Sequence, residues 1–257
     1  MDLFQMALVF GAGILGGIIS TMVGGAAIVT FPALLAAGVA PAVAAASNLI
    51  AMAPTVLYSA YDDRKRLPDF DRVLAALIFL AIAGGIAGSI LLLLTPTSAF
   101  QVLVPLLLGG ATVLFALGRP INGWMRERTM RLHGREPKMG AGGIAALLPV
   151  SVYIGYFGAG AGVMLLAIFS IWNAGNYRNA NVMKNLFASI NMLPAAIIFA
   201  VQGLVDWRAT ALMMAGGFAG GMVGRKIARV ARQDVMEIVV TVTGTVLTIV
   251  YAWRYWF

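Results

Sequence analysis

The sequence predicts an all-α integral membrane protein built from two inverted repeats of transmembrane helices, with about eight to ten membrane-crossing elements and glycine-interrupted segments that are broken or re-entrant. Three observations carry that expectation. Of the 257 residues, 61% are hydrophobic and 11% charged, with a mean hydropathy of +0.90, whereas soluble domains carry about 25% charged residues. The apolar residues fall in runs close to the roughly 20 residues that a helix needs to cross the hydrocarbon core. Three sequence landmarks also occur twice, in the same order.

The first run, 3–22, has no Lys or Arg ahead of it and so lacks the basic region of a cleaved signal peptide. It is expected to remain in the mature protein. Its stretch Gly11-Ala12-Gly13-Ile14-Leu15-Gly16 matches a dinucleotide-binding pattern, but no strand precedes it and no acidic residue follows at the required distance. Helix packing is the better reading. Gly24-Gly25 then breaks the chain before a short run, 25–37. The run 42–60 carries Asn48-Leu49 and Pro54, and a basic loop leads to 72–94, with Ala83-Gly84-Gly85-Ile86-Ala87-Gly88, and to 98–118.

The second half repeats this order. After 141–157, the cluster Gly158-Ala159-Gly160-Ala161-Gly162 opens another short run, 159–172. The run 179–201 carries Asn185-Leu186 and Pro194, 207–224 carries Ala215-Gly216-Gly217-Phe218-Ala219-Gly220, and 236–253 ends the series. Gly24 matches Gly158 (158 − 24 = 134), Asn48 matches Asn185 (185 − 48 = 137) and Ala83 matches Ala215 (215 − 83 = 132). Any one match is ordinary for helix-packing glycines. Their shared order and spacing argue for duplication.

Loop charge orients the two copies. Arg64, Lys65, Arg66 and Arg72 flank one loop, while the equivalent loop near 202–208 has only Arg208; 95–98 has no basic residue, while its equivalent has Arg225, Lys226, Arg229 and Arg232. By the positive-inside rule, equivalent loops face opposite sides. The expected organisation is an N-terminal repeat, 1–118, a basic cytoplasmic linker, 119–139, holding Arg119, Arg126, Arg128, Arg131, Arg135 and Lys138, and a C-terminal repeat, 140–257. Each repeat then has an odd number of crossings, five or three plus a re-entrant hairpin, and both termini lie outside. An eight-helix arrangement with parallel halves and both termini inside is the alternative.

The charges also bound the chemistry. All ten acidic residues fall in loops, at termini or at helix ends, which counts against a cation substrate or a carboxylate proton relay. The net charge of +8 resides in loops and implies no nucleic-acid partner. There is no cysteine, and His133, in the basic linker, is the single histidine. No metal site, cofactor or catalytic triad is expected from that inventory. Lys184 is the leading candidate for anion contact, since a lysine at mid-helix depth costs roughly 2.5–3.5 kcal/mol and usually marks a pathway. The competing reading is that it snorkels to the interface. Arg178 reads as an interfacial anchor. Asn48, Asn181 and Asn185 could donate amide hydrogens to an oxyanion or simply bond between helices. Half-helices after Gly24-Gly25 and after Gly158 and Gly160 could aim positive N-terminal dipoles at the same anion. Pro54 and Pro194 favour kinks, and Trp253, Tyr255 and Trp256 beside Arg254 form an aromatic anchor.

The glycine breaks and asparagine helices resemble those of the sulfite exporter TauE/SafE family of membrane permeases. The resembling stretches are Met22-Val23-Gly24-Gly25-Ala26-Ala27-Ile28-Val29-Thr30-Phe31-Pro32-Ala33-Leu34-Leu35 with Ser47-Asn48-Leu49, and Gly155-Tyr156-Phe157-Gly158-Ala159-Gly160-Ala161-Gly162 with Lys184-Asn185-Leu186. Two positions depart from the family pattern: Ala26-Ala27 shortens the first glycine run, and Ala46-Ser47-Asn48 stands where Gly-Thr-Asn is common. The resemblance implies transport of sulfite, sulfonates or sulfoacetate, usually outward across a bacterial inner membrane. It also implies that Gly24, Gly25, Asn48, Gly158, Gly160, Lys184 and Asn185 lie near the substrate path. The expectation from the sequence is therefore a secondary anion transporter, not an enzyme, partnered by a small anionic substrate and the lipid bilayer and compatible with a homodimer. A passive anion channel, or less readily a membrane-embedded enzyme or assembly factor, is the alternative.

Overall fold

A computed structural model of the chain describes residues 1–22, 24–118, 141–172, 177–227 and 233–256, with the isolated positions 120, 123 and 127. His133, the basic residues of the linker and Arg229 and Arg232 lie outside the described residues. The described chain is helical and contains no strand. The first half forms α1 (Leu3–Met22), α2 (Ala27–Ala36), α3 (Pro41–Asp62), α4 (Arg72–Leu94) and α5 (Thr97–Ala116). The second forms α6 (Ala141–Tyr156), α7 (Ala161–Trp172), α8 (Tyr177–Val201), α9 (Trp207–Ile227) and α10 (Gln233–Trp256). Among the described residues, Leu3–Thr21, Pro41–Asp62, Arg72–Leu94, Thr97–Ala116 and Arg178–Val201 are long and apolar enough to cross a membrane.

Local chemistry sets the helix ends. Pro41 occupies the start of α3 after an extended Ala40, where its missing N–H costs nothing. Asp71 Oδ1 accepts from Leu74 N at 2.7 Å to cap α4, and Asp206 Oδ1 accepts from Ala209 N at 3.1 Å to cap α9. Asp71 and Asp206 thus occupy the same place in the two halves, each ahead of an Ala-Gly-Gly helix. Trp256 Nε1 donates to Val102 O at 3.1 Å, fixing the end of α10 to α5, while Trp253 remains exposed.

The interfaces come in matched sets. α1 packs on α9 as α6 packs on α4, and α3 packs on α9 as α8 packs on α4. α5 meets α10, and α3 meets α8. Exchanging the first five helices for the last five converts each of these interfaces into its counterpart.

Glycine makes the closest crossings possible. Gly216 and Gly220 of α9 lie against the backbone of Phe10 and Ile14, and Gly13 and Gly17 of α1 face Met213 and Gly217. In the matching crossing, Gly84 and Gly88 of α4 meet Ser151 and Val152, and Gly155 of α6 meets Gly85. Both Ala-Gly-Gly stretches are therefore packing surfaces, as is the Gly11–Gly16 stretch. A Cβ at Gly220 would strike the Ile14 carbonyl oxygen, which is backbone and cannot step aside. Gly220→Val should destabilise the protein by about 1–3 kcal/mol, whereas Gly110→Ala, facing open space, should be nearly neutral. Thermal unfolding in detergent compares the two.

Candidate functional site

α2 has 10 residues and α7 has 12; at 1.5 Å per residue each covers about half of a 30 Å hydrocarbon core. The chain enters both through glycines in the left-handed region: Gly24 (φ 83°) and Gly25 (φ 96°) before α2, Gly158 (φ 73°) and Gly160 (φ 72°) before α7. The two breaks touch. A Cβ placed on Gly24 would lie 2.9 Å from Gly162 Cα, and one on Gly162 would lie 2.9 Å from Gly24 Cα. This contact brings the N-terminal ends of α2 and α7 together.

A cavity of about 50 Å³ lies at the meeting point. Gly24, Gly25 and Ala27 line it from the first break, and Gly158, Ala161 and Gly162 from the second. α3 contributes Asn48, and α8 contributes Lys184 and Asn185. All three of these polar side chains are buried. Lys184 is only 2% exposed, and its Nζ has no hydrogen-bond partner. The side chain therefore does not snorkel to the surface. Asn48 Oδ1 is also unpartnered, and the cavity lining contains no carboxylate.

The formal charge lining this cavity has one sign. Backbone bonding in α2 starts with Ile28 N to Gly25 O and Val29 N to Ala26 O, both 3.0 Å; the N–H groups ahead of a helix's first turn have no acceptor within the helix. The N-terminal ends of α2 and α7 each add partial positive charge, and Lys184 adds a full one. A buried charge without a counterion is costly. An anion that fills the cavity would supply the missing partner.

A second, wider cavity of about 770 Å³ is lined by Thr21, Tyr58, Asp62, Asp63, Arg178, Asn181, Asn185 and Lys226, among others. Asn185 lines both spaces. Arg178, Asn181 and Asn185 follow a spacing of three and four on one face of α8, making a polar track from the vestibule to the inner cavity. At the opposite end, Asp206 N donates to the buried Ser47 Oγ at 3.0 Å, joining the α8–α9 connection to α3.

Six of the eight sequence candidates thus line the inner cavity: Gly24, Gly25, Asn48, Gly158, Lys184 and Asn185. Asn181 lines the vestibule, and Gly160 packs against Ala111 of α5. Sequence reasoning missed Met52 and Met192 in the lining. Each lies two residues before the proline of its helix, a signal that was present in both halves. Among the described residues, no group of three or more His, Cys, Asp or Glu is placed to hold a metal.

A helical membrane bundle with a buried lysine in a cavity that shares a lining residue with a wide vestibule has the form of a multi-pass membrane transporter. The chain belongs to the sulfite exporter TauE/SafE family, whose model matches residues 9–251. It is 25% identical over 245 residues to a probable membrane transporter protein, YfcA, of Escherichia coli K12, covering 95% of this chain and 88% of that one. It is also 25% identical over 249 residues to a probable membrane transporter protein of Haemophilus influenzae, with 95% and 92% covered. A Sinorhizobium protein, probable membrane transporter protein ORF9, is 24% identical over 253 residues, with 95% and 91% covered. No solved structure gives a significant match. The chain is a membrane transporter, not an enzyme.

Proposed function

We propose that this transporter carries a small sulfur oxyanion or organosulfonate of the sulfite or sulfoacetate type, by alternating access between two inverted repeats, 1–118 and 140–257, joined by a cytoplasmic linker at 119–139. One observation carries the anion reading: the Lys184 ammonium is buried without a partner in a cavity shared by two half-helix N-termini. Asn48 and Asn185 line the same cavity, which supports their amide hydrogens as further donors to the ligand. The exchange symmetry of the helix interfaces supports the repeat reading, and the loop charges support its inversion. Moving one negative charge outward would gain about 2.3 kcal/mol per 100 mV of membrane potential, a driving force that needs no carboxylate in the lining.

The test is thermal stabilisation of the purified protein by sulfite, sulfate, thiosulfate, sulfonates, carboxylates and simple cations, because a ligand that binds only the folded state raises its apparent stability. Sulfite and small sulfonates should raise the melting temperature in a saturable way, and cations should not. Stabilisation by a cation with none by any anion would reject the anion reading.

A further inference from the structure

The inner cavity shares Asn185 with the wide vestibule, whereas next to Asn48 the α8–α9 connection is tied to α3 by the Ser47–Asp206 hydrogen bond, between positions 159 apart in sequence. We propose that Ser47 and Asp206 form the latch of the closed mouth, and that in the opposite state Lys184 and Asp71 form the equivalent latch across the vestibule. This inference rests on the alternating-access reading.

The correspondence comes from positions already fixed by other features. Ser47 precedes Asn48-Leu49 as Lys184 precedes Asn185-Leu186. Asp206 caps α9 as Asp71 caps α4. Under exchange of the halves, the contact of residue 47 with residue 206 becomes a contact of residue 184 with residue 71. The loop before α4 then closes on α8 as the loop before α9 now closes on α3.

The chemistry of the two latches differs. Ser47 Oγ accepts from a backbone N–H, but an ammonium has three donors and no acceptor. Lys184 therefore requires an acceptor on the approaching loop, and Asp71 brings a carboxylate. In the vestibule-open state Lys184 is free to hold an anion. In the opposite state the Asp71 carboxylate takes the place of the anion and releases it. A single cation thus serves as binding group and as latch, and its charge is compensated in each half of the cycle.

The chain has no native cysteine, so introduced pairs report without background. Ser47→Cys with Asp206→Cys should form a disulfide in oxidised membranes, stop counterflow of sulfoacetate, which unlike sulfite does not cleave disulfides, in proteoliposomes, and release it on reduction. If loss of the Asp206 cap prevents folding, Ser47→Cys with Val205→Cys is the second pair. A disulfide that does not form in folded protein, or that forms without arresting counterflow, overturns the first latch. Met222→Cys, in the vestibule lining, gives a readout without substrate: an impermeant maleimide should label it faster in the bridged protein, and an unchanged or slower rate counts against the latch. Asp71→Asn preserves the cap, because asparagine is as good an N-cap as aspartate. It should bind sulfite at least as tightly as the unsubstituted protein and exchange it at least tenfold more slowly. Exchange at the unsubstituted rate overturns the second latch. If no anion stabilises the unsubstituted protein, the proposed site fails, while disulfide yield and Met222 labelling still decide the first latch.

Discussion

Lys184→Met is expected to abolish anion binding and, in the same protein, to raise the melting temperature measured without ligand. Methionine keeps the length and flexibility of lysine while removing the charge. The Nζ it replaces is buried and unpartnered, and burying a charge alone costs several kcal/mol. Removing it therefore relieves the empty protein. The bound state loses its main charge-assisted contact, worth about 3 kcal/mol or more, which is roughly a hundredfold in Kd. The measurement is thermal unfolding followed by tryptophan fluorescence, with and without sulfite. A lysine kept only for packing gives the opposite pattern: a lower melting temperature and an unchanged response to sulfite.

Gly24→Ala should cost more than a change that meets either a strained φ or a close neighbour alone, because it meets both. Its φ of 83° is a left-handed conformation, which costs a non-glycine residue about 1–2 kcal/mol. The new Cβ would also stand 2.9 Å from Gly162 Cα, adding overpacking worth about 1–3 kcal/mol. Two companion substitutions separate these costs. Gly38→Ala has a φ of 87° with open space around it and should pay the conformational part, about 1–2 kcal/mol. Gly162→Ala meets Gly24 Cα at the same 2.9 Å and should pay the packing part, about 1–3 kcal/mol. Melting temperatures of the three variants in one detergent should rank Gly24→Ala lowest. If Gly24→Ala is as stable as Gly38→Ala, the two breaks are not in contact.

The helices and their breaks were largely legible in the sequence, because hydropathy and glycine act over a few neighbouring residues. The run at 25–37 became α2, Ala27–Ala36, and the run at 159–172 became α7, Ala161–Trp172. What the sequence did not determine was which surfaces meet. The Ala-Gly-Gly stretches could have packed within a half, but Gly216 and Gly220 face α1 and Gly84 and Gly88 face α6, each in the other half. The depth of Lys184 was undetermined for the same reason. A hydropathy run places a residue along the membrane normal to within a turn or two, whereas burial depends on the helices that close over it. Gly160 shows the same limit from the other side: its left-handed backbone shapes the break, while its surface meets Ala111 of α5, a neighbour that only the fold supplies. The Ser47–Asp206 bond had no local signal, since its partners are joined only by the fold.

The crossing of α1 with α9 imposes an order on biogenesis. α1 leaves the ribosome well before α9, whose glycines that receive it follow about 200 residues later. At about 5–20 residues per second of synthesis, α1 waits roughly 10–40 s with its Gly13–Gly17 face uncovered by its partner. In lipid that face loses only close packing, because the backbone bonds of a helix are satisfied within it. The nascent first half can therefore remain membrane-inserted without being assembled, and completion depends on α9 and α10. A stop codon before residue 207 removes α9 and α10 together, and with them the surface on which α1 docks.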